Sequence, residues 1–133
     1  MSIFPVMFLD KKIEQVDSIP LRLLAGVGDA VSTLAERERA AAISGSAKQL
    51  HQQTKKRVNA YAQAEDLDKL TQFLDEKELD LVRRASNMKA NNYRKVGQVI
   101  SRKSTAYEVL LGYLYLTNLD RLKELLVLLN NLA

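Results

Sequence analysis

Apolar residues recur at helical spacing from Leu21 to the end of the chain, and no proline lies in that stretch. Proline removes a backbone donor and breaks a helix interior. Its confinement to Pro5 and Pro20 leaves everything downstream free to be helical. No window shows the period-two alternation of a half-buried strand. The pattern predicts an all-α fold. At 133 residues the chain suits one domain, read as an N-terminal arm over 1–19 and a helical core over 20–133.

Ser18-Ile19-Pro20 reads as a helix start, with a capping hydroxyl and a proline near the first turn. The helix that follows is expected to turn Leu23, Leu24, Val27, Val31 and Leu34 inward. Gly26 and Gly28 lie inside it, each costing roughly 1 kcal/mol relative to alanine, so another helix should approach closely there. After a break at Ser44-Gly45-Ser46, a basic helix is expected from about 47 to 64, with Leu50, Val58 and Tyr61 on its buried edge. Ala64-Glu65-Asp66 opens a further stretch through Leu74. Asp75 followed by Glu78 has the form of a capping box. Residues 91–99 read as a loop. Helix resumes from Ser101, where Tyr107, Leu110, Leu111, Leu114 and Tyr115 form a broad apolar stripe, and a leucine-rich helix from Leu119 to about Leu132 closes the core.

Composition removes several kinds of chemistry. With 47% hydrophobic and 27% charged residues the chain can bury a core, which argues against disorder. It has no cysteine, so disulfides, thiolate metal sites and a cysteine nucleophile are excluded, and a reducing, cytoplasmic setting is expected. No apolar run approaches the roughly 18 residues that span a bilayer. Lys11 and Lys12 follow the apolar opening instead of preceding it, the wrong order for a secretory signal. His51 is the only histidine, which rules out a paired-histidine base or a His-rich zinc site. There is no G-x-S-x-G elbow, and Gly26-Val27-Gly28 lacks the later glycine and preceding strand of a phosphate loop. Any chemistry falls to metal and water.

The net charge of +4 is modest but unevenly spread. Arg83, Arg84, Lys89, Arg94, Lys95, Arg102 and Lys103 follow one another with no acid between them. Lys48, Lys55, Lys56 and Arg57 make a second acid-free group. Such stretches either grip a polyanion through counterion release or form ordinary solvated faces.

Two carboxylates stand in apolar company: Asp29 between Gly28 and Ala30, and Glu108 within Thr105-Ala106-Tyr107-Glu108-Val109-Leu110. Burying an unpaired ion costs several kcal/mol. Such a residue is therefore salt-bridged (here Arg22 or Arg102 are the candidates), exposed on the helix edge, or holding a hard cation such as Mg²⁺.

Five segments carry a family resemblance. Leu24-Ala25-Gly26-Val27-Gly28-Asp29-Ala30-Val31 resembles the signature helix of ribonuclease III nuclease domains, and Ser104 to Leu116 resembles their second metal-binding helix. Leu50-His51, Val58 to Ala64, and Glu78 to Asn87 are similar to segments of Mini-ribonuclease III, the short form without a double-stranded RNA-binding domain. The chain departs from longer ribonuclease III enzymes at Arg22, Ala25 and Thr105, where those carry further acids. It also has Ser32 and Thr33 where the short form usually has an aromatic residue and a glutamate.

What the resemblance implies is a helical endonuclease domain acting as a homodimer on double-stranded RNA. Asp29 and Glu108 would hold Mg²⁺, with Mn²⁺ as a substitute, and catalyse hydrolysis leaving a 5′-phosphate. Arg83, Arg84, Asn87, Lys89, Arg94, Lys95, Arg102 and Lys103 would contact the RNA. The implied role is maturation of 23S ribosomal RNA ends in the cytoplasm, with a ribosomal protein as a further partner and no membrane. The alternatives are an inactive RNA-binding or ribosome-associated protein on the same fold, and a helical adaptor whose basic stretches are solvated.

Overall fold

The computed structural model describes residues 16–88 and 97–132. The arm up to residue 15, Lys89, and residues 91–96 of the loop expected at 91–99, with Arg94 and Lys95, lie outside the described residues; Gln98 and Val99, expected in that loop, already belong to the helix that follows. Among those described there are six α-helices and no strand: α1 (Leu21–Ala41), α2 (Ala47–Arg57), α3 (Ala60–Leu70), α4 (Glu76–Ser86), α5 (Gln98–Thr117) and α6 (Leu119–Leu132). Short 3-10 turns occupy Val16–Ser18 and Thr71–Phe73. No described helix is long and apolar enough to cross a membrane.

Helix α5 is the axis of the bundle. Ala106, Tyr107, Val109, Leu110, Leu111, Gly112, Leu114 and Leu116 are all buried, so it is apolar on nearly every side, as a helix surrounded by others must be. Helices α1, α3, α4 and α6 pack around it, delivering Leu24, Leu67, Leu70, Leu81, Leu122, Leu125 and Leu129 to one continuous core.

The closest packing is between α1 and α5, and two glycines permit it. A Cβ on Gly28 would sit 1.6 Å from the Glu108 carbonyl oxygen, and one on Gly112 would sit 2.0 Å from that of Leu24. The backbones touch where no side chain could fit. Gly26 differs: a Cβ there meets nothing within 4 Å, so only Gly28 answers the expectation of a close neighbour within this chain.

The periphery is fixed by caps and one arginine. Asp75 and Glu78 form the expected capping box of α4, with Asp75 accepting from the Glu78 amide at 2.8 Å and Glu78 from the Asp75 amide at 2.9 Å. Arg121 of α6 grips both Glu78 oxygens at 2.8 and 2.9 Å and donates to the Phe73 carbonyl at 2.8 Å, bolting α6 onto the start of α4. Bidentate pairing of this kind is the strong form of an ion pair.

Several local expectations need correction. Ser18 does not cap α1: it ends a 3-10 turn, and Pro20 occupies the N-cap with no side-chain bond. The expected helix over 47–64 is two helices, because Asn59 breaks the first and caps the second, its side chain accepting from the Ala62 amide at 2.9 Å. The break rotates α3, so Tyr61 is exposed while Gln63, Ala64 and Asp66 are buried. Leu23 and Leu34 do not face inward either; they are 61% and 58% exposed. The apolar sector of α1 is wider than the face that α5 covers.

Candidate active site

The glycine crossing decides where the carboxylates go. Asp29 follows Gly28 directly, and Glu108 is the residue whose backbone Gly28 touches, so the two carboxylates meet at the edge of the α1–α5 contact. Asp29 is exposed and Glu108 half-buried. Among the described residues no ion pair joins either one to Arg102. They answer each other instead. The Glu108 carboxyl is pushed up to about 8, first by burial and then by the hydrogen-bonded Asp29 carboxylate. Two like charges this close cannot both ionise freely, so Glu108 keeps its proton near neutral pH.

A third helix reaches the pair. Gln63 of α3 is buried and inserts its amide between the two crossing helices. Its Oε1 accepts from Ser104 Oγ at 2.6 Å, and its Nε2 donates to Ser32 Oγ at 3.4 Å. The same side chain lies near enough to Glu108 to favour the ionised carboxylate, against the rise that burial causes. One turn farther along, Arg57 from the end of α2 lies 3.4 Å from Glu36 and 3.5 Å from Asp66. Burial drives the Asp66 carboxyl up, and Arg57 opposes that shift. Behind Glu108, burial raises the Tyr107 phenol.

A hard divalent cation suits the pair. Its ligands are oxygens, and a cation between Asp29 and Glu108 relieves the repulsion that otherwise keeps a proton there. The site is sparse: among the described residues no group of three or more acidic or histidine side chains is placed to hold a metal.

A model of the ribonuclease III domain matches residues 22–119. A Mini-ribonuclease 3 from Thermoanaerobacter sp. (strain X514) is 42% identical over 118 residues, spanning 86% of this chain and 83% of that protein. The chain belongs to the ribonuclease III family, among the Mini-ribonuclease 3 proteins. A second relative of that name, from Thermosynechococcus vestitus, is 37% identical over 111 residues, spanning 84% of this chain and 74% of its own. A crystal structure of a Fusobacterium nucleatum protein is similar with a TM-score of 0.76 at 26% identity, covering 90% of this chain and 96% of the other. The protein is thus an endoribonuclease of the ribonuclease III type, on the all-α fold its sequence predicts.

Within this ribonuclease III fold the basic residues are not equivalent. Arg83 and Arg84 project from α4 and both bind Asp80, at 2.7 and 3.2 Å. Asn87 is the C-cap of α4. Lys103 lies 2.9 Å from Asp68 of α3. Among the described residues the buried Nε of Arg102 has no hydrogen-bond partner. A run free of acids in sequence therefore has acids beside it in space, supplied by neighbouring turns and helices. Sequence reasoning passed over Gln63, Ser32 and Ser104 as functional residues. Gln63 shares its helical register with Leu67 and Leu70, which was the available signal.

Proposed function

We propose that this endoribonuclease cleaves double-stranded RNA by Mg²⁺-dependent hydrolysis at Asp29 and Glu108, with Mn²⁺ as a substitute, and that its substrate is precursor 23S ribosomal RNA. The observation that carries the reading is the Gly28–Gly112 crossing, which brings Asp29 beside Glu108, whose carboxyl is pushed up to about 8. When bound, Mg²⁺ supplies charge neutralisation at the scissile phosphate and an activated water. Glu108 would give up its proton, and Asp29 and Glu108 would offer oxygen ligands, with water and phosphate oxygens completing the shell. Arg83, Arg84, Asn87, Lys89, Arg94, Lys95, Arg102 and Lys103 hold the RNA backbone. Because A-form RNA hides its deep groove, these contacts follow shape more than sequence.

The protein works, on this reading, as a cytoplasmic homodimer of one nuclease domain per chain (arm 1–19, core 20–133), which brings two sites to one RNA groove. Exposed Leu23 and Leu34 on α1 support that arrangement, since Ala30 lies beside them on the same uncovered face. Incubation with precursor 23S ribosomal RNA and Mg²⁺, followed by mapping of the ends, tests the substrate assignment. Discrete cuts within the terminal stem, each leaving a 5′-phosphate, are expected. A precursor left intact while other double-stranded RNA is cut contradicts it, and cutting only after a ribosomal protein is added identifies that protein as the further partner.

A further inference from the structure

Gln63 occupies a position that neither core packing nor RNA contact explains. A glutamine is seldom fully buried, yet this one is 4% exposed and lies between the two helices that carry the carboxylates. Its partners are spaced to matter. Ser32 is three residues beyond Asp29 on α1, and Ser104 is four residues before Glu108 on α5, so each lies one turn from a carboxylate on its own helix. The amide has one acceptor and two N–H donors. Ser104 occupies the acceptor at 2.6 Å and Ser32 takes one N–H at 3.4 Å, which fixes the amide's orientation and leaves its second N–H for the neighbouring Glu108 carboxylate.

We propose that Gln63 is a positioning residue for the metal pair: held by Ser32 and Ser104, it fixes the rotamer of Glu108 so that the carboxylate is presented beside Asp29. This rests on the reading of Asp29 and Glu108 as the metal ligands. In a site with only two protein ligands, each ligand's orientation counts for more, because no third side chain compensates for a misplaced oxygen. Groups that orient a ligand in this way typically change metal affinity or activity by roughly 10–100-fold when removed. Gln63 touches neither substrate nor metal; it acts through Glu108.

The test compares Gln63→Met, Ser104→Ala and Asp29→Asn with the unmodified protein. Mn²⁺ binding is measured by titration calorimetry, the metal-free melting temperature by circular dichroism, and cleavage of a double-stranded RNA as a function of Mg²⁺ concentration. Methionine keeps the length of glutamine and removes every hydrogen bond. Gln63→Met is expected to bind Mn²⁺ roughly 10-fold or more weakly and to need correspondingly more Mg²⁺ for half-maximal cleavage, while its affinity for RNA without metal stays unchanged. Ser104→Ala, which frees the amide without touching Glu108, is expected to shift Mn²⁺ affinity in the same direction by less. A folded Gln63→Met protein with a lower melting temperature but unchanged Mn²⁺ affinity would show a merely structural glutamine and overturn the proposal. Should Gln63→Met not fold, Ser104→Ala decides, and unchanged Mn²⁺ affinity there overturns it. Asp29→Asn separates the two levels. If it abolishes Mn²⁺ binding while Gln63→Met leaves it intact, the positioning role alone fails; if it binds and cuts normally, the underlying site assignment fails with it.

Discussion

Glu108 keeps a proton into the neutral range for two physical reasons, burial between helices and the Asp29 carboxylate beside it. That has a consequence for stability. The folded carboxyl is pushed up to about 8 from an ordinary 4.5, so between those values the folded state binds a proton that the unfolded chain has released. Stability must then fall as pH rises through that window. In EDTA the melting temperature is expected to drop between about pH 4.5 and 8, and Glu108→Gln should flatten that component. Divalent metal should reverse the trend, since it binds the deprotonated pair and stabilises the folded state by mass action. Identical pH profiles for the wild type and Glu108→Gln would contradict the account. At this scale the sequence was half informative. Asp29 and Glu108 stood out as carboxylates in apolar surroundings, but that pattern fits a salt bridge equally well. Gln63 did not stand out, because the sequence does not reveal that Asn59 restarts the helix and turns the glutamine inward.

Helix α1 shows what an element can disclose about its neighbours. Its two glycines look alike in sequence, yet a Cβ meets backbone at Gly28 and open space at Gly26. Gly28→Ala is expected to destabilise the fold toward the upper end of the about 1–3 kcal/mol typical of an overpacked core, and to separate the carboxylates so that cleavage is lost. Gly26→Ala should leave folding intact, because alanine favours the helix. Chemical denaturation of both variants checks this; equal destabilisation would mean that the crossing does not depend on Gly28. Element boundaries were legible where local chemistry announces them. The Asp75–Glu78 capping box and the α6 span Leu119–Leu132 follow from local signals. The α2–α3 break did not, since an asparagine between two polar helical turns carries no glycine or proline to mark it. Pro20 is the N-cap itself, next to the first turn where the sequence puts it.

Across the whole molecule, the sequence conveyed fold class and family but not what covers α1. Periodicity marks Leu23 and Leu34 as apolar; only the packed structure shows that this chain leaves them exposed. The proposed homodimer would give them a partner. Leu23→Glu combined with Leu34→Glu is expected to yield a helical monomer by sedimentation, with cleavage of double-stranded RNA reduced at least tenfold, about 1.4 kcal/mol by the usual conversion. A dimer that survives this change places the interface elsewhere. Charge is the other molecular-scale property. The acid-free run from Arg83 to Lys103 is partly neutralised by Asp80 and Asp68, which linear sequence hides because those acids come from adjacent turns and another helix. The central claim remains the carboxylate pair, and single-turnover cleavage of one double-stranded RNA tests it most directly, with binding measured on the same samples. Asp29→Asn and Glu108→Gln are expected to bind the RNA as the wild type does and to leave it uncut in Mg²⁺. Cleavage by either variant at the wild-type rate would contradict the account.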